Sequence, residues 1–320
     1  MKRNLVAAMC MTAVAAFADR TTAADNIPAW AYPVNPPGLQ RAPDDGIPRH
    51  VPNSAATYSV TQIRDLFTPP DWHPSSHPAM PDVVGRGRKP GQFACGFCHL
   101  PNGLGRPENS SLAGLSADYI AQQVADFRSG ARKSSEPASL PINLMIAVAQ
   151  QVSEDDTRIA AAYFASLVPV PWIRVVETET VPKTKVDGWM LVVDQGAGNE
   201  PLGVRIIETP EDLERTELRD SLSGFVAYVP VGSIGRGEAL VREGNDRTTP
   251  CAVCHGAHLK GLGPVPALAG RSPSYLVRQL VDLQRGVRHG PWAPLMKSVV
   301  ERLTLDEMVS LAAYAASLPP

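Results

Sequence analysis

The sequence has no excess of basic residues and, after its N-terminus, no long apolar stretch. Its 30 Lys and Arg residues are balanced by 32 Asp and Glu, so the formal net charge is −2. A nucleic-acid partner requires a basic surface, and a membrane-spanning helix requires about 20 apolar residues. We therefore expect a soluble protein without a nucleic-acid partner or a transmembrane segment. Cysteine is also scarce, with five residues in 320.

Four of these cysteines belong to one motif that occurs twice, Cys95-Gly96-Phe97-Cys98-His99 and Cys251-Ala252-Val253-Cys254-His255. In a C-x-x-C-H motif each thiol adds across a vinyl group of a haem, and the His that follows becomes an axial ligand of the iron. We therefore predict two covalently bound haem c groups. The predicted attachment residues are Cys95, Cys98, Cys251 and Cys254, and the predicted proximal iron ligands are His99 and His255.

Two other uses of paired cysteines fit the sequence less well. A zinc ribbon has its two pairs roughly 15–20 residues apart, whereas Cys98 and Cys251 are separated by most of the chain. A thioredoxin-like redox pair does not require a His after the second Cys, and here a His follows both pairs. Haem attachment explains both copies.

The first 18 residues have the three parts of a secretory signal peptide. Lys2 and Arg3 precede an apolar run over residues 5–17, and Ala16-Phe17-Ala18 provides a small-x-small cleavage site. We expect cleavage after Ala18 and a periplasmic protein, because bacteria attach haem covalently outside the cytoplasm. Removal of the two basic residues leaves 28 basic and 32 acidic residues, a net charge of −4.

Residues 19–58 form an arm rich in proline, which disfavours regular helix and favours extended chain. Two interpretations stay open for this arm. It is either a disordered leader or an extended segment that packs Trp30 and Tyr32 on the body of the protein. After the arm, Ser59 and Gln62 have the spacing of a capping box, which predicts a short helix.

The chain from Cys95 onward repeats itself. A shift of 156 residues superposes the first C-x-x-C-H motif on the second, and it also superposes Tyr119, Gln123, Asp126 and Arg132 on Tyr275, Gln279, Asp282 and Arg288. With a shift of 151 residues, Met145 falls on Met296 and Tyr163 falls on Tyr314. The sequence therefore predicts a tandem of two homologous domains, each with a methionine in the same place.

Both equivalent methionines follow a proline, in Pro141-Ile142-Asn143-Leu144-Met145 and Pro294-Leu295-Met296. We expect a non-helical stretch in each case, because such a loop can cross the open face of a haem and bring a thioether to the sixth iron position. Met145 and Met296 are therefore the predicted distal ligands. Met80, Met190 and Met308 lack this equivalence, and we expect them to fill core space.

With these motifs, both repeats resemble class I c-type cytochromes, and the tandem resembles the periplasmic two-haem type built from duplicated domains. The resemblance covers roughly residues 58–168 and 231–320 and implies a mainly α fold with two cytochrome c-like haem domains. In that family a carbonyl about eleven residues after the proximal His accepts the other ring proton, which fixes the imidazole. Ser110 and Pro266 occupy this place.

Residues 169–230 belong to neither repeat. The segments 172–178, 189–193, 203–207 and 225–229 have strand-like composition, and residues 210–214 begin a helical turn. We predict a small β-containing insertion that is either a spacer or a docking surface. The predicted organisation is a signal peptide (1–18), a Pro-rich N-terminal arm (19–58), cytochrome c domain 1 (59–168), the insertion (169–230) and cytochrome c domain 2 (231–320).

The predicted ligands leave neither iron with a vacant position. Ligation by His and Met raises the potential of a haem and suits outer-sphere electron transfer. We therefore expect an electron carrier with no catalytic residues. It would pass single electrons from an exported dehydrogenase or a membrane complex to an oxidase or another cytochrome.

Two alternatives stay open. A two-haem enzyme of the peroxidase or thiosulfate dehydrogenase kind also has two C-x-x-C-H motifs, but it needs one iron with an open or displaceable ligand. His73, His77 or His289 could replace a methionine in such an enzyme. A cytochrome subunit of a dehydrogenase complex would keep the same chemistry and change only the partner.

Overall fold

A computed structural model describes residues 27–320. The predicted signal peptide and its cleavage site lie outside the described residues. Within the described range the protein is mainly helical, with a group of short strands in the middle of the chain. The prediction of a mainly α fold with a β-containing insertion is confirmed. In this same range no helix is long and apolar enough to cross a membrane.

The first repeat consists of short helices around one apolar core. Their bounds are α1 Val60–Ile63, α2 Asp82–Gly85, α3 Cys95–His99, α4 Ala117–Ser129, α5 Leu140–Gln151 and α6 Glu154–Ser166. The predicted capping box of Ser59 and Gln62 begins α1. Helix α4 contacts both α5 and α6, and Phe164 on α6 is 1% exposed at the centre of the core.

The insertion contains seven strands and one helix. Their bounds are β1 Ile173–Glu177, β2 Thr180–Pro182, β3 Thr184–Asp187, β4 Met190–Val193, β5 Asn199–Pro201, β6 Ile207–Pro210, α7 Leu213–Glu217 and β7 Phe225–Val229. Strand β7 lies between β1, to which it is parallel, and β6, to which it is antiparallel. The strand predicted at 203–207 is wrong except for its last residue, because Gly203, at φ +59°, turns the chain before β6.

The second repeat consists of α8 Ser233–Glu243, α9 Ala252–His255, α10 Pro273–Gln284, α11 Ala293–Val300 and α12 Leu305–Ser317. Helices α8 and α12 cross closely at Gly237. A Cβ at this position would overlap the carbonyl oxygen of Ser310 and lie 2.8 Å from the Cβ of Tyr314. The absence of a side chain at Gly237 therefore admits Tyr314, and a capping box of Thr304 and Glu307 begins α12.

An ion pair joins the closing helix of each repeat to the segment before its C-x-x-C-H motif. Asp156 on α6 binds Arg88, and Glu307, at the equivalent place on α12, binds Arg247. The Arg88 guanidinium holds the pKa of Asp156 below its usual range. Burial acts to raise the pKa of Glu307, but hydrogen bonds from Arg247 and the Thr304 backbone lower it to about 2. Both pairs therefore stabilise the fold while the carboxylates are ionised.

The arm and the insertion both pack on the repeats. Tyr32 is 5% exposed, and its hydroxyl donates a hydrogen bond to Asp282 Oδ1 at 2.8 Å. Of the two interpretations of the arm, packing on the body is thus confirmed for Trp30 and Tyr32, which both contact the core of the second repeat. In the insertion, Trp172 and Phe225 belong to the core of the first repeat, whereas Val229 belongs to the core of the second. The insertion therefore fills the space between the two repeats.

Candidate haem sites

Each C-x-x-C-H motif forms a short helical turn in the wall of a pocket. The first motif is α3, and the second comprises Cys251 and α9. Cys95, Cys98 and His99 line the first pocket, and Cys251, Cys254 and His255 line the second. The structure therefore brings together the three predicted residues of each motif.

The two imidazoles are held in the same way. His99 Nδ1 lies 2.8 Å from the carbonyl oxygen of Ser110, and His255 Nδ1 lies 2.8 Å from that of Pro266. A carbonyl can only accept a hydrogen bond, so Nδ1 carries the proton and Nε2 is free to bind a metal ion. Burial lowers the pKa of both imidazoles and favours their neutral form. Both predicted carbonyl acceptors are confirmed.

The thiols do not resemble a redox-active pair. Burial raises the pKa of Cys95 to about 12 and that of Cys251 to about 11. Catalytic Cys-x-x-Cys pairs have a thiol whose pKa is lowered. Across residues 27–320, no group of His, Cys, Asp and Glu side chains has the arrangement of a metal-ion site. The geometry thus favours covalent attachment over the zinc and thioredoxin alternatives.

Met145 and Met296 line the same pockets as the histidines. The expectation of a non-helical stretch around each is wrong, since Met145 lies in α5 and Met296 lies in α11. Pro141 and Pro294 stand in the first turn of these helices, where a missing N–H and a fixed φ are tolerated. Met80, Met190 and Met308 pack in the apolar cores as expected.

The pockets have the chemical character that a haem requires. Apolar side chains from α4 and α5 line the first pocket, and apolar side chains from α10, α11 and α12 line the second. An apolar cleft with a few placed polar groups is typical of cofactor sites. The residues present therefore fit a haem attached through two thioethers.

The two pockets share a polar wall. Ser110, Tyr119, Gln123 and Tyr275 line both, and equivalent residues of the two repeats exchange hydrogen bonds across it. Arg132 donates to Tyr275 (2.8 Å) and Gln279 (2.8 Å), and Arg288 donates to Tyr119 (2.9 Å) and Gln123 (2.8 Å). The sequence comparison identified these residues as equivalent, but it missed that they meet, because equivalence in a repeat does not indicate contact.

The histidines considered as replacement ligands are bonded elsewhere. Within the described residues, neither pocket is lined by His73, His77 or His289. His73 Nε2 lies 2.9 Å from Asp220 Oδ1, and His77 Nε2 lies 3.1 Å from Asp71 Oδ1. His289 Nδ1 lies 3.1 Å from the carbonyl oxygen of Gly286. In this structure none of the three is placed to replace a methionine.

Comparison with known proteins gives matches among cytochromes, although no family model matches the chain. Cytochrome c-554(548) of Halomonas halodenitrificans is 35% identical over 75 residues, which are 23% of this chain and 90% of that protein. The thiosulfate dehydrogenase electron acceptor of Stutzerimonas stutzeri is 25% identical over 236 residues, which are 72% of this chain and 82% of that protein.

Two further proteins match, one over about a third of its own length and the other over nearly all of it. The chain spans about a third of cytochrome c-552 of Acidithiobacillus ferridurans, with 34% identity over 84 residues, 26% of this chain and 35% of that protein. A solved structure of cytochrome c4 from Acidithiobacillus ferrooxidans aligns with a TM-score of 0.47 and 21% identity, over 70% of this chain and 98% of that chain. Taken with its two C-x-x-C-H motifs, the match to nearly the whole Halomonas protein shows that the chain belongs to the c-type cytochromes, as a tandem form with two covalently bound haem c groups.

Proposed function

We propose that the protein is a periplasmic electron carrier in which each haem iron has one His and one Met as axial ligands. His99 and Met145 would bind the first iron, and His255 and Met296 the second. Cys95, Cys98, Cys251 and Cys254 would attach the two haems. The observation that carries the proposal is the presence of each Met in the same pocket as a His whose Nδ1 proton is held by a carbonyl.

Such ligation suits a carrier because it leaves no iron position for a substrate. A haem held by His and Met exchanges one electron with little change in structure. The shared polar wall supports exchange between the two haems, since one layer of side chains borders both pockets. We further propose that the haem domains span residues 59–168 and 231–320 and that the insertion spans residues 169–230.

For the partners, we propose an exported dehydrogenase as donor and an oxidase or another cytochrome as acceptor. The match to a protein named as an electron acceptor of thiosulfate dehydrogenase supports a donor of that kind. A two-haem enzyme is less well supported, because His73 and His77 bind carboxylates away from the pockets. A cytochrome subunit of a dehydrogenase complex would carry the same two sites and differ only in its partner.

Spectroscopy of the purified protein tests the ligands. We expect two low-spin irons in both redox states and a methionine-to-iron charge-transfer band in the oxidised protein. We also expect no thiosulfate oxidation by the protein alone with an artificial electron acceptor. A high-spin iron that binds peroxide or cyanide readily in the unaltered protein would contradict the carrier and favour the enzyme.

A further inference from the structure

The two C-x-x-C-H motifs differ in what covers them. Phe97 is 5% exposed, whereas Val253, at the equivalent place in the second motif, is 66% exposed. Cys254 is exposed, and Cys98 is partly buried. The first motif is covered by residues 216–223 of the insertion, which run from the end of α7 towards β7 and which we call the cap turn. The second motif has no such cover among the described residues.

Side chains of the first repeat hold the cap turn in place. Three of them donate hydrogen bonds to its carbonyl groups: Trp72 Nε1 to Leu218 (2.8 Å), Asn102 Nδ2 to Ser221 (2.6 Å) and Arg106 Nη1 to Thr216 (3.3 Å). The contact between His73 Nε2 and Asp220 Oδ1 is a fourth attachment, and both of these side chains are buried. With attachments at both ends and in the middle, the cap turn has a fixed position on the first repeat.

Arg219 lies in the middle of the cap turn and points at the first motif. Its backbone is in the left-handed region, at φ +57°, which side chains other than glycine rarely adopt. The guanidinium carbon lies 3.6 Å from the centroid of the Phe97 ring, and Nη1 donates a hydrogen bond to the Phe97 carbonyl at 2.7 Å. Backbone strain of this kind persists where the surroundings enforce it, often at functional sites.

Arg219 forms no ion pair within the part of the chain that the structure describes. The nearby carboxylate of Glu108 is paired with Arg106. Desolvation lowers the pKa of the Arg219 guanidinium to about 9, which leaves it positively charged at neutral pH. Phe97, which the guanidinium contacts, is followed directly by Cys98, so the cation lies beside the proposed haem attachment point.

We propose that Arg219 raises the reduction potential of the first haem by placing a positive charge without an ion-pair partner at its attachment edge. An oxidised haem iron carries one more positive charge than a reduced one, so a nearby cation favours the reduced state. The second motif presents the exposed Val253 at this place. The insertion therefore acts on one haem of the pair and leaves the other unaffected. This inference rests on the proposed function, because it requires two haems that each exchange one electron.

The test is a redox titration of the intact protein and its Arg219 variants. In Arg219→Gln we expect the ratio of reduced to oxidised first haem to fall on the order of tenfold at a fixed ambient potential, which is about 59 mV for one electron. The second haem should not change. In Arg219→Lys the charge remains, so the reduction potential of the first haem should stay close to that of the unaltered protein. Resonances of Phe97 and Val253, one in each motif, assign each titration step to a haem.

The control is Arg205→Gln, which removes one positive charge from the same insertion at a place where Arg205 is paired with Glu200. It should leave both potentials unchanged. Equal shifts of the first potential in Arg219→Gln and Arg219→Lys would assign the effect to packing on Phe97 and overturn the proposal. No shift in Arg219→Gln would also overturn it.

Haem content and spin state are measured on every variant. Two low-spin haems with an unmoved potential would reject the role of Arg219 and leave the proposed function intact, whereas a high-spin iron in the unaltered protein would reject the proposed function itself. If Arg219→Gln does not retain both haems, Arg219→Met keeps more of the apolar contact with Phe97 while removing the charge. Arg219→Met should lower the reduction potential of the first haem as much as is expected for Arg219→Gln. An unchanged first-haem potential in Arg219→Met would overturn the proposal.

Discussion

The two haem sites have the same internal geometry and different surroundings. In both, the His proposed as proximal ligand is held by a carbonyl at 2.8 Å, and a Met on a helix lines the same pocket. Yet Phe97 is buried under the cap turn, and its counterpart Val253 is exposed. The difference comes from a segment that is not part of the repeat. An insertion can thus make two equivalent sites inequivalent without changing a single proposed ligand.

Removal of one haem at a time gives the largest effect and lets each site be measured alone. The double change Cys251→Ala with Cys254→Ala should leave one covalently bound haem per chain, and Cys95→Ala with Cys98→Ala should leave the other. Both thioethers are lost in each case, so the affected haem should extract into acid-acetone. The measurement is haem per chain after denaturation. Haem that extracts freely from the unaltered protein would end the covalent interpretation.

Replacement of residues 169–230 by a flexible linker removes the cover of the first site. We expect a disturbed first-haem spectrum, because Trp172 and Phe225 are part of the first core, and loss of one such aromatic side chain costs about 3–5 kcal/mol. Spectra and thermal unfolding are the measurements, and a lengthened turn at residues 195–198 is the control. Unchanged spectra with slower reduction by a protein donor would instead indicate a docking surface. No change in either would show that the insertion is a spacer.

Substitution of one proposed distal methionine at a time allows the two irons to be compared. Met296→Ala should open the second iron to cyanide and lower its potential, because the thioether that favours the reduced iron is gone. Met145→Ala should do the same at the first iron. The control is Met308→Ala, which removes a core side chain that is 1% exposed and should cost about 2–5 kcal/mol of stability with both spectra intact. An unchanged spectrum in Met296→Ala would mean that another residue is the ligand.

Acid should weaken both closing helices, with a smaller effect. The pKa of Glu307 is lowered from 4.5 to about 2, so the stability it contributes is present above pH 4.5 and is lost as the pH falls towards 2. Asp156 has the same direction of shift. We expect about 1 kcal/mol from the Glu307 pair, because Arg247 is 40% exposed. Unfolding at pH 7 and pH 3 should differ less in Glu307→Gln than in the unaltered protein, and an equal difference would contradict this account.

Features that depend on nearby residues were predictable from the sequence. Each of these features involves a fixed spacing along the chain: the C-x-x-C-H motifs, the carbonyl acceptors at Ser110 and Pro266, and the capping box at Thr304. The motifs and the acceptors also occur in both repeats, so each copy supports the other. Gly237 was also predictable, because a close helix crossing needs a residue without a side chain. The fold class followed from these signals together.

Two features were not predicted, for different reasons. Pro141 and Pro294 suggested loops, yet a proline is compatible with the first turn of a helix, so Met145 and Met296 lie on helices. The cap turn escaped notice because Arg219 reaches Phe97 across 122 positions in the chain. No local pattern indicates that contact, and the left-handed conformation of Arg219 has no signature in its own residue type.

The hydrogen bonds between an arginine of one repeat and a tyrosine of the other have a consequence for how the protein can evolve. Arg132 donates to Tyr275, and Arg288 donates to Tyr119, so each repeat supplies a partner that the other lacks by itself. A substitution at either tyrosine leaves an arginine of the other copy short of one acceptor. Duplicated segments are normally free to diverge separately. Here a substitution at one of these tyrosines is tolerated best when the arginine that donates to it changes as well, so these positions of the two repeats are constrained together.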